Sequence, residues 1–369
     1  MKILMVTPTF HPIKGGAEEV VKDLSIGLNK IGISTDVMTF NINRKWASAC
    51  KGKTEKIYGL RVFKIPALNW FPITHSDRIT FRINVIPGRF RNRFQEYDIL
   101  HFHDGGDFSF PFFSLLVNKP KILHLQGPPD FYERNVIARC ILKNVAEIYI
   151  SPSHGIERQL VKLSVPKYKV RYLPNGINTD IFYPSKKKEN NLILFVGRIQ
   201  PLKGLHVFLK SLRYLKKPIH LVIVGPPSWN RTYFKNVSAT MNKVQEKTVH
   251  AVTYLGELER EEIIKWYQRA SVLVRPDLYG GSGGLTSLEA LACGTPVIGT
   301  GNEIVKDGVN GILVPPNDAV KLAKSIQYLL DNEDVRKKLG KEGRRWIIEN
   351  LSSEVIVERL SQIYKELIQ

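Results

Sequence analysis

Acidic side chains are scarce in this 369-residue chain: 34 Asp and Glu stand against 54 Lys and Arg, a formal net charge of +20 and a pI of about 9.7. The imbalance points to an anionic partner, whether nucleic acid, anionic lipid or a phosphorylated substrate. Charge alone does not choose among them, because lysine-rich proteomes also produce basic enzymes with no such partner. Cysteine is scarcer still. Cys50, Cys140 and Cys293 are far apart, form no C-x-x-C pair and have no histidine at ligand spacing. That excludes a disulfide scaffold and an obvious zinc site, and it fits a reducing compartment. No apolar run reaches the roughly 18 residues of a membrane span. Met1–Pro8 leads straight into a strand-like run without a signal-peptide layout, so a cytoplasmic location is expected. Internal repeats, low-complexity tracts and recognised nucleic-acid motifs are missing too, so no nucleic-acid partner is expected.

What is present is alternation. With 43% hydrophobic and 24% charged residues the composition is that of a globular chain, and the length suffices for two cores. Strand-like runs at Lys2–Phe10, Thr35–Phe40, Lys56–Pro66, Asp98–His103, Lys121–Gln126, Glu147–Ser151 and Val170–Pro174 are separated by helix-length segments such as Ala17–Ile31. Strands buried on both faces with helical crossovers predict a doubly wound parallel sheet. Pro184–Asn191 is polar and without apolar residues, and reads as a linker. The alternation then restarts at Leu192–Val196, His220–Val224, Val252–Leu255, Ser271–Arg275 and Pro296–Gly299. Three helical segments follow, Ala319–Asp331, Glu333–Glu349 and Glu354–Leu367. The expectation is an N-terminal domain over 1–180, a C-terminal domain over 181–353 and a ligand cleft between them.

The most informative stretch is Tyr279–Ile298. Four glycines (Gly280, Gly281, Gly283, Gly284) lead into a helix-like run through Leu285 and Thr286, carrying one carboxylate, Glu289. Glycine lets backbone approach a ligand, and a helix start favours phosphate. A carboxylate one turn in suits a ribose diol. After the first strand of the second half come Arg198 and Lys203, on a loop with Gly197, Pro201 and Gly204. A guanidinium and an ammonium there suit a diphosphate. In the first half Gly15-Gly16 opens the first helix, either as a tight turn or as backbone approaching an anion. His101 and His103 share one strand face. His103, nearer the carboxyl end, is the candidate for a sugar hydroxyl; His101 reads as a core histidine. With no third ligand evident, the pair does not suggest a metal site.

These segments together resemble the retaining GT-B glycosyltransferases of family GT4. The resemblance rests on Gly15-Gly16-Ala17-Glu18, His101-Phe102-His103, Gly197-Arg198 with Lys203-Gly204, and Leu285–Ile298, joined by Pro174–Asn178 and by Glu303–Val305 with Asp307-Gly308. It covers nearly the whole chain in order. It implies an α/β fold of the GT-B kind, two Rossmann-like doubly wound domains facing an interdomain cleft. The acceptor side would be 1–180, with helix 354–369 packing back on it, and the donor side 181–353. It also implies roles: Glu289 on the donor ribose; Arg198 and Lys203 on its diphosphate; Gly284, Leu285 and Thr286 at the helix start; His103 on the donor sugar; Gly15 and Gly16 beside diphosphate and acceptor.

One position departs from the pattern. Gly281 stands where the family carries a glutamate, leaving sugar contacts to backbone amides, Ser282 or Asp277. The implied reaction moves a hexose from a nucleoside-diphosphate sugar to a hydroxyl acceptor, a glycan or lipid-linked one, with no cofactor and no required metal. An epimerase on the same scaffold and a catalytically weak sugar-nucleotide or glycan-binding protein are the alternatives. Residues 69–97 mix aromatics with Arg78, Arg82, Arg89, Arg91 and Arg93. They read either as a contact with anionic membrane at the inner face or as a solvated or acceptor-gripping face.

Overall fold

The alternation resolves into two parallel-sheet units in the computed structural model of the chain, which describes residues 1–13, 15–41, 52–66, 92–104, 117–129, 132–133, 136–185, 188–227, 230–278, 284–301 and 303–368. The first unit is Met1–Gly176 with Ser353–Gln369, and the second is Ile177–Ser352. Among the described residues no helix is long and apolar enough to cross a membrane.

The first unit holds β1 (Lys2–Thr7), β2 (Ser34–Phe40), β3 (Lys53–Ile57), β4 (Leu60–Ile65), β5 (Ile99–Asp104), β6 (Lys121–Leu125), β7 (Ile148–Ser151) and β8 (Val170–Tyr172). They form one sheet in the order β3-β4-β2-β1-β5-β6-β7-β8. Ile3, Leu4 and Met5 are all fully buried, as a central parallel strand covered on both faces requires. The order reverses between β1 and β5, where Met5 lies opposite His101. Ligands of open α/β sheets bind at the carboxyl end of such a reversal. The single strand expected over Lys56–Pro66 is instead a hairpin. Tyr58 and Gly59 both have positive φ (54° and 80°), the geometry of a two-residue type I′ turn. It folds β3 back antiparallel on β4.

Helix α1 (Gly16–Lys30) buries Val20, Val21, Leu24 and Leu28, with Glu18 and Glu19 in its first turn and Lys30 in its last, a charge order that matches the helix dipole. The unit also carries α2 (Val136–Leu142) and α3 (His154–Lys162). The α3 start is capped by Ser153, whose side chain accepts from the Ile156 amide.

The second unit contains β9 (Leu192–Val196), β10 (His220–Val224), β11 (Ala251–Gly256), β12 (Val272–Arg275), β13 (Val297–Gly299) and β14 (Gly311–Leu313). Every pair is parallel, in the order β11-β10-β9-β12-β13-β14. Its helices are α4 (Leu205–Ser211), α5 (Arg231–Lys247), α6 (Arg260–Arg269), α7 (Leu285–Ala292), α8 (Ala319–Asp331) and α9 (Glu333–Leu351). The reversal here lies between β9 and β12.

The polar stretch read as a linker belongs inside this unit, and the division falls at Gly176 rather than near 180. Lys188 Nζ donates to the carbonyls of Gln268, Ala270 and Cys293, each at 3.3 Å, and to Thr295 Oγ1. An ammonium buried among carbonyls closes the end of α6. Burial pushes its pKa down to about 8.

The last helix, α10 (Ser353–Ile368), is part of the first unit and packs on α1. The helices touch at Gly27, where a Cβ would come within 2.5 Å of Val357 Cγ2. Gly27→Ala is therefore expected to lower stability by about 1–3 kcal/mol through overpacking, despite alanine's better helix propensity. A denaturant midpoint equal to or above that of the parent protein would contradict the close approach.

Candidate functional site

In the second unit the loops after β9 and β12 meet at the sheet's reversal point. Lys203 ends a single 3-10 turn, Pro201–Lys203, and Gly204 follows with φ +67°. A Cβ on Gly204 would fall 1.9 Å from the Pro276 carbonyl oxygen, so only glycine lets these loops lie together. Leu278 N donates to Leu202 O at 2.9 Å and pins them. Lys203 Nζ lies 3.3 Å from Asp277 Oδ1. Asp277 Oδ2 accepts from Arg275 Nε at 2.8 Å, and Arg275 reaches Ser287 Oγ on α7 at 3.2 Å. Burial depresses the Lys203 pKa, Asp277 counters it, and the positive charges of Arg275 and, least of all, Arg198 lower it further. Arg198 itself is exposed.

Arg198 and Lys203 share the loop after β9. Asp277 is a correction. It was expected among the sugar contacts, yet it is 5% exposed with both oxygens on cations, because the buried Arg275 and half-buried Lys203 charges need a counter-ion. Arg275 is the residue that sequence reasoning missed. It read as the end of an apolar strand, and only its place inside a buried run signalled that it must be paired.

Helix α7 begins at Gly284 (φ +67°) with no side-chain cap on its first amides, so Leu285 and Thr286 open a helix start of the kind that accommodates an anion. One turn in, Glu289 Oε2 accepts from Tyr267 OH at 2.7 Å. Burial raises the Glu289 pKa, while Tyr267 and the Arg260 charge pull it down. Gly281 and Ser282 lie outside the described residues, as do Arg78, Arg82, Arg89 and Arg91 of the basic segment. Arg93 is described, with its guanidinium 4.7 Å from the Phe63 ring centre.

In the first unit Gly15 precedes α1 in extended conformation. A Cβ there would lie 2.5 Å from Glu18 Oε2, and Thr9 Oγ1 donates to Glu18 Oε1. The Glu18 carboxylate thus lies beside Gly15, before a helix start whose Gly15-Gly16 pair suits either a tight turn or backbone approaching an anion. His103 sits at the carboxyl end of β5 as expected, but it is 1% exposed. The Gln126 side-chain amide donates to its Nδ1 at 3.0 Å, so the ring proton is on Nε2, 3.4 Å from Met5 Sδ. Both nitrogens are engaged. Gln126, half-buried at the end of β6, is the polar group that His103 supports.

Comparison with known proteins bears on what these two edges belong to. The family "Glycosyl transferases group 1" matches residues 177–346, and "Glycosyltransferase Family 4" matches 14–181. An uncharacterized glycosyltransferase of Methanocaldococcus jannaschii is 30% identical over 284 residues, 73% of this chain and 76% of the relative. The chain belongs to the GT4-like glycosyltransferases. The O-antigen chain mannosyltransferase C of Escherichia coli is 25% identical, across 100% of this chain and 99% of that protein. Among solved structures, Anabaena HepE in complex with UDP and glucose superposes with a TM-score of 0.81 at 16% identity, covering 100% of both chains. Likeness of that order establishes the GT-B fold.

The glycosyltransferase also carries a buried histidine stack. The third neighbour that the sequence did not reveal is His124 of β6, opposite His103. The ligand atoms of His101, His103 and His124 lie within 4.8 Å of one another. His101 stacks on His103 at 4.3 Å and 22°, and on His124 at 5.4 Å and 15°. His101 lies nearly parallel to both neighbours, so its in-plane lone pairs run beside theirs where a tetrahedral ion needs convergence; His103 and His124 are tilted by 36° at 5.0 Å.

His101 Nδ1 pairs with Tyr364 OH at 2.6 Å, while among the described residues His101 Nε2 and both nitrogens of His124 have no hydrogen-bond partner. Burial holds all three neutral, with His124 pushed down to about 3. The unfolded chain takes up these protons near pH 6.5, so their contribution to stability is full above that pH and is lost as pH falls below it. Three protons correspond to a slope of about 4 kcal/mol per pH unit. His124→Phe is expected to reduce the acid-side slope by about one proton, read from urea midpoints between pH 7 and pH 5. An unchanged slope would show that His124 titrates normally in the fold.

Proposed function

We propose that this glycosyltransferase moves a hexose from a nucleoside-diphosphate sugar to a hydroxyl on a glycan or lipid-linked acceptor, with retention at the anomeric carbon. The observation that carries the reading is that Arg198 and Lys203 both lie on the loop after β9, at the reversal point of the second sheet, in the unit that also holds the glycine-led start of α7. A diphosphate leaving group gains negative charge as the glycosidic C–O bond breaks, and preorganised cations and amides stabilise that charge in the transition state. Arg198 and Lys203 take the diphosphate, with the Leu285 and Thr286 amides at the helix start. Glu289 takes the ribose hydroxyls.

Asp277 and Arg275 hold Lys203 in place. Cationic side chains supply the charge that a metal would otherwise supply, so none is required. The acceptor oxygen bonds the anomeric carbon on the face the diphosphate leaves, and the acceptor proton passes to a departing phosphate oxygen. The first unit's polar candidate is Gln126, held by His103, and residues 69–97 are the candidate contact with an acceptor or an anionic membrane. The UDP and glucose bound to HepE and the mannosyl transfer named for the Escherichia coli relative support this donor and acceptor chemistry.

The donor is found by thermal shift: a nucleoside diphosphate at about 100 times its Kd adds about 2.7 kcal/mol of stability. Arg198→Ala and Lys203→Ala are expected to lower turnover by about 10²–10³-fold, measured as nucleoside diphosphate released from that donor. Near-normal rates in both variants would sink the mechanism.

A further inference from the structure

The Glu289 carboxylate is hydrogen-bonded within the protein on one side only. Among the described residues its one hydrogen-bond partner is Tyr267 OH, 2.7 Å from Oε2. Tyr267 is fully buried, although it belongs to a different helix, α6. It is also held unusually firmly. Its carbonyl accepts from Thr295 Oγ1 at 2.7 Å and from Lys188 Nζ at 3.5 Å. Its ring packs against Phe182, with centroids 6.4 Å apart. Arg260, two turns earlier on α6, lies over the other partner of that contact, its guanidinium 5.1 Å from the Phe182 ring centre. The Arg260 charge also acts on Glu289.

A glutamate side chain on a helix samples several rotamers, and ordering it on ligand binding weakens the complex. Anchoring one oxygen to a rigid phenol removes most of that freedom and leaves the other oxygen to accept from a diol. Built in this way, the contact is prepared before the ligand arrives.

We propose that Tyr267 is a positioning residue: by fixing Glu289 Oε2 it presents Oε1 to the ribose hydroxyls of the nucleoside diphosphate, and so sets the preference for ribose over deoxyribose. This rests on the donor-binding reading of Glu289. Tyr267 does not itself touch the ligand. Arg260 and Phe182 form the wall behind the pair, and Lys188 with Thr295 secures the backbone of the tyrosine. If Tyr267 only filled the core, with Glu289 as a convenient acceptor for its hydroxyl, removing that hydroxyl would change stability and leave ligand selectivity alone.

The test is calorimetric titration of the full chain with UDP, GDP and ADP and with their 2′-deoxy and 3′-deoxy counterparts, for the parent protein, Tyr267→Phe and Glu289→Gln. The expected result is that the parent prefers the ribo ligand over a deoxy counterpart by about tenfold or more, the worth of a good hydrogen bond to a charged group. Tyr267→Phe should lose most of that preference while binding the deoxy ligand about as well as the parent does. Because the lost hydrogen bond favoured the ionised carboxylate, the acid limb of ribo-ligand binding should also move to higher pH in Tyr267→Phe. Glu289→Gln should erase the preference without that pH shift.

A parent protein that binds none of the nucleoside diphosphates overturns the donor reading and this inference with it. A parent that binds one with ribose preference, and a Tyr267→Phe protein that is less stable but keeps the preference and pH profile, overturns the inference alone.

Discussion

In the second sheet β9 hydrogen-bonds β12, with Ile193 opposite Val272 and Leu194 opposite Leu273, and the described part of that unit's candidate site hangs on that pairing. It reverses the strand order and leaves the two following loops side by side, with no crossover helix between them. Every further feature needs that closeness. Gly204 can lie against the Pro276 carbonyl only because it lacks a Cβ. Lys203 can reach Asp277 only because the loops meet. Arg275, the last residue of β12, can bridge from Asp277 to α7 only because both start from the same edge.

The two units handle ionisable groups in opposite ways. In the second, buried and half-buried charges are kept and paired: Lys203 with Asp277, Arg275 with Asp277, and Glu289 with the Tyr267 hydroxyl and the Arg260 charge. Taking a charge out of water is tolerable only with such partners, and the arrangement leaves cations near the surface where an anion can complete the set. In the first, the histidines of β5 and β6 are stripped of charge instead. Desolvation keeps them neutral, and they pack as flat, weakly polar rings between the sheet and Tyr364 of α10. One arrangement is suited to receiving a polyanion. The other makes the fold of that unit sensitive to acid.

Much of the architecture was legible in the chain. Long, strongly periodic segments such as Ala319–Asp331 and buried runs such as Leu192–Val196 declare themselves because the whole stretch must bury one face or both. The hairpin at Tyr58-Gly59 was missed because a single apolar stretch hides a reversal that two positive φ angles make possible. The short strand Gly311–Leu313 was missed because three residues carry no period. Lys188 falls in a polar stretch that reads as a linker, since nothing local announces that several carbonyls will converge on one ammonium.

The site divides along the same line. By itself the sequence determined the groups that bear on chemistry, namely the glycine-led helix start, Glu289, Arg198 and Lys203. Glycines, a guanidinium and a carboxylate at strand-to-helix junctions retain their local chemistry wherever the chain goes. Only the tertiary structure decided what each group is paired with. It turned Asp277 from a ligand contact into the counter-ion of Lys203, drew Arg275 and Tyr267 into the site, set Glu18 before the first helix and hid His103 beneath Gln126. Those outcomes follow from burial and from partners distant in sequence, and an ionisable group's role is set by what it is desolvated with.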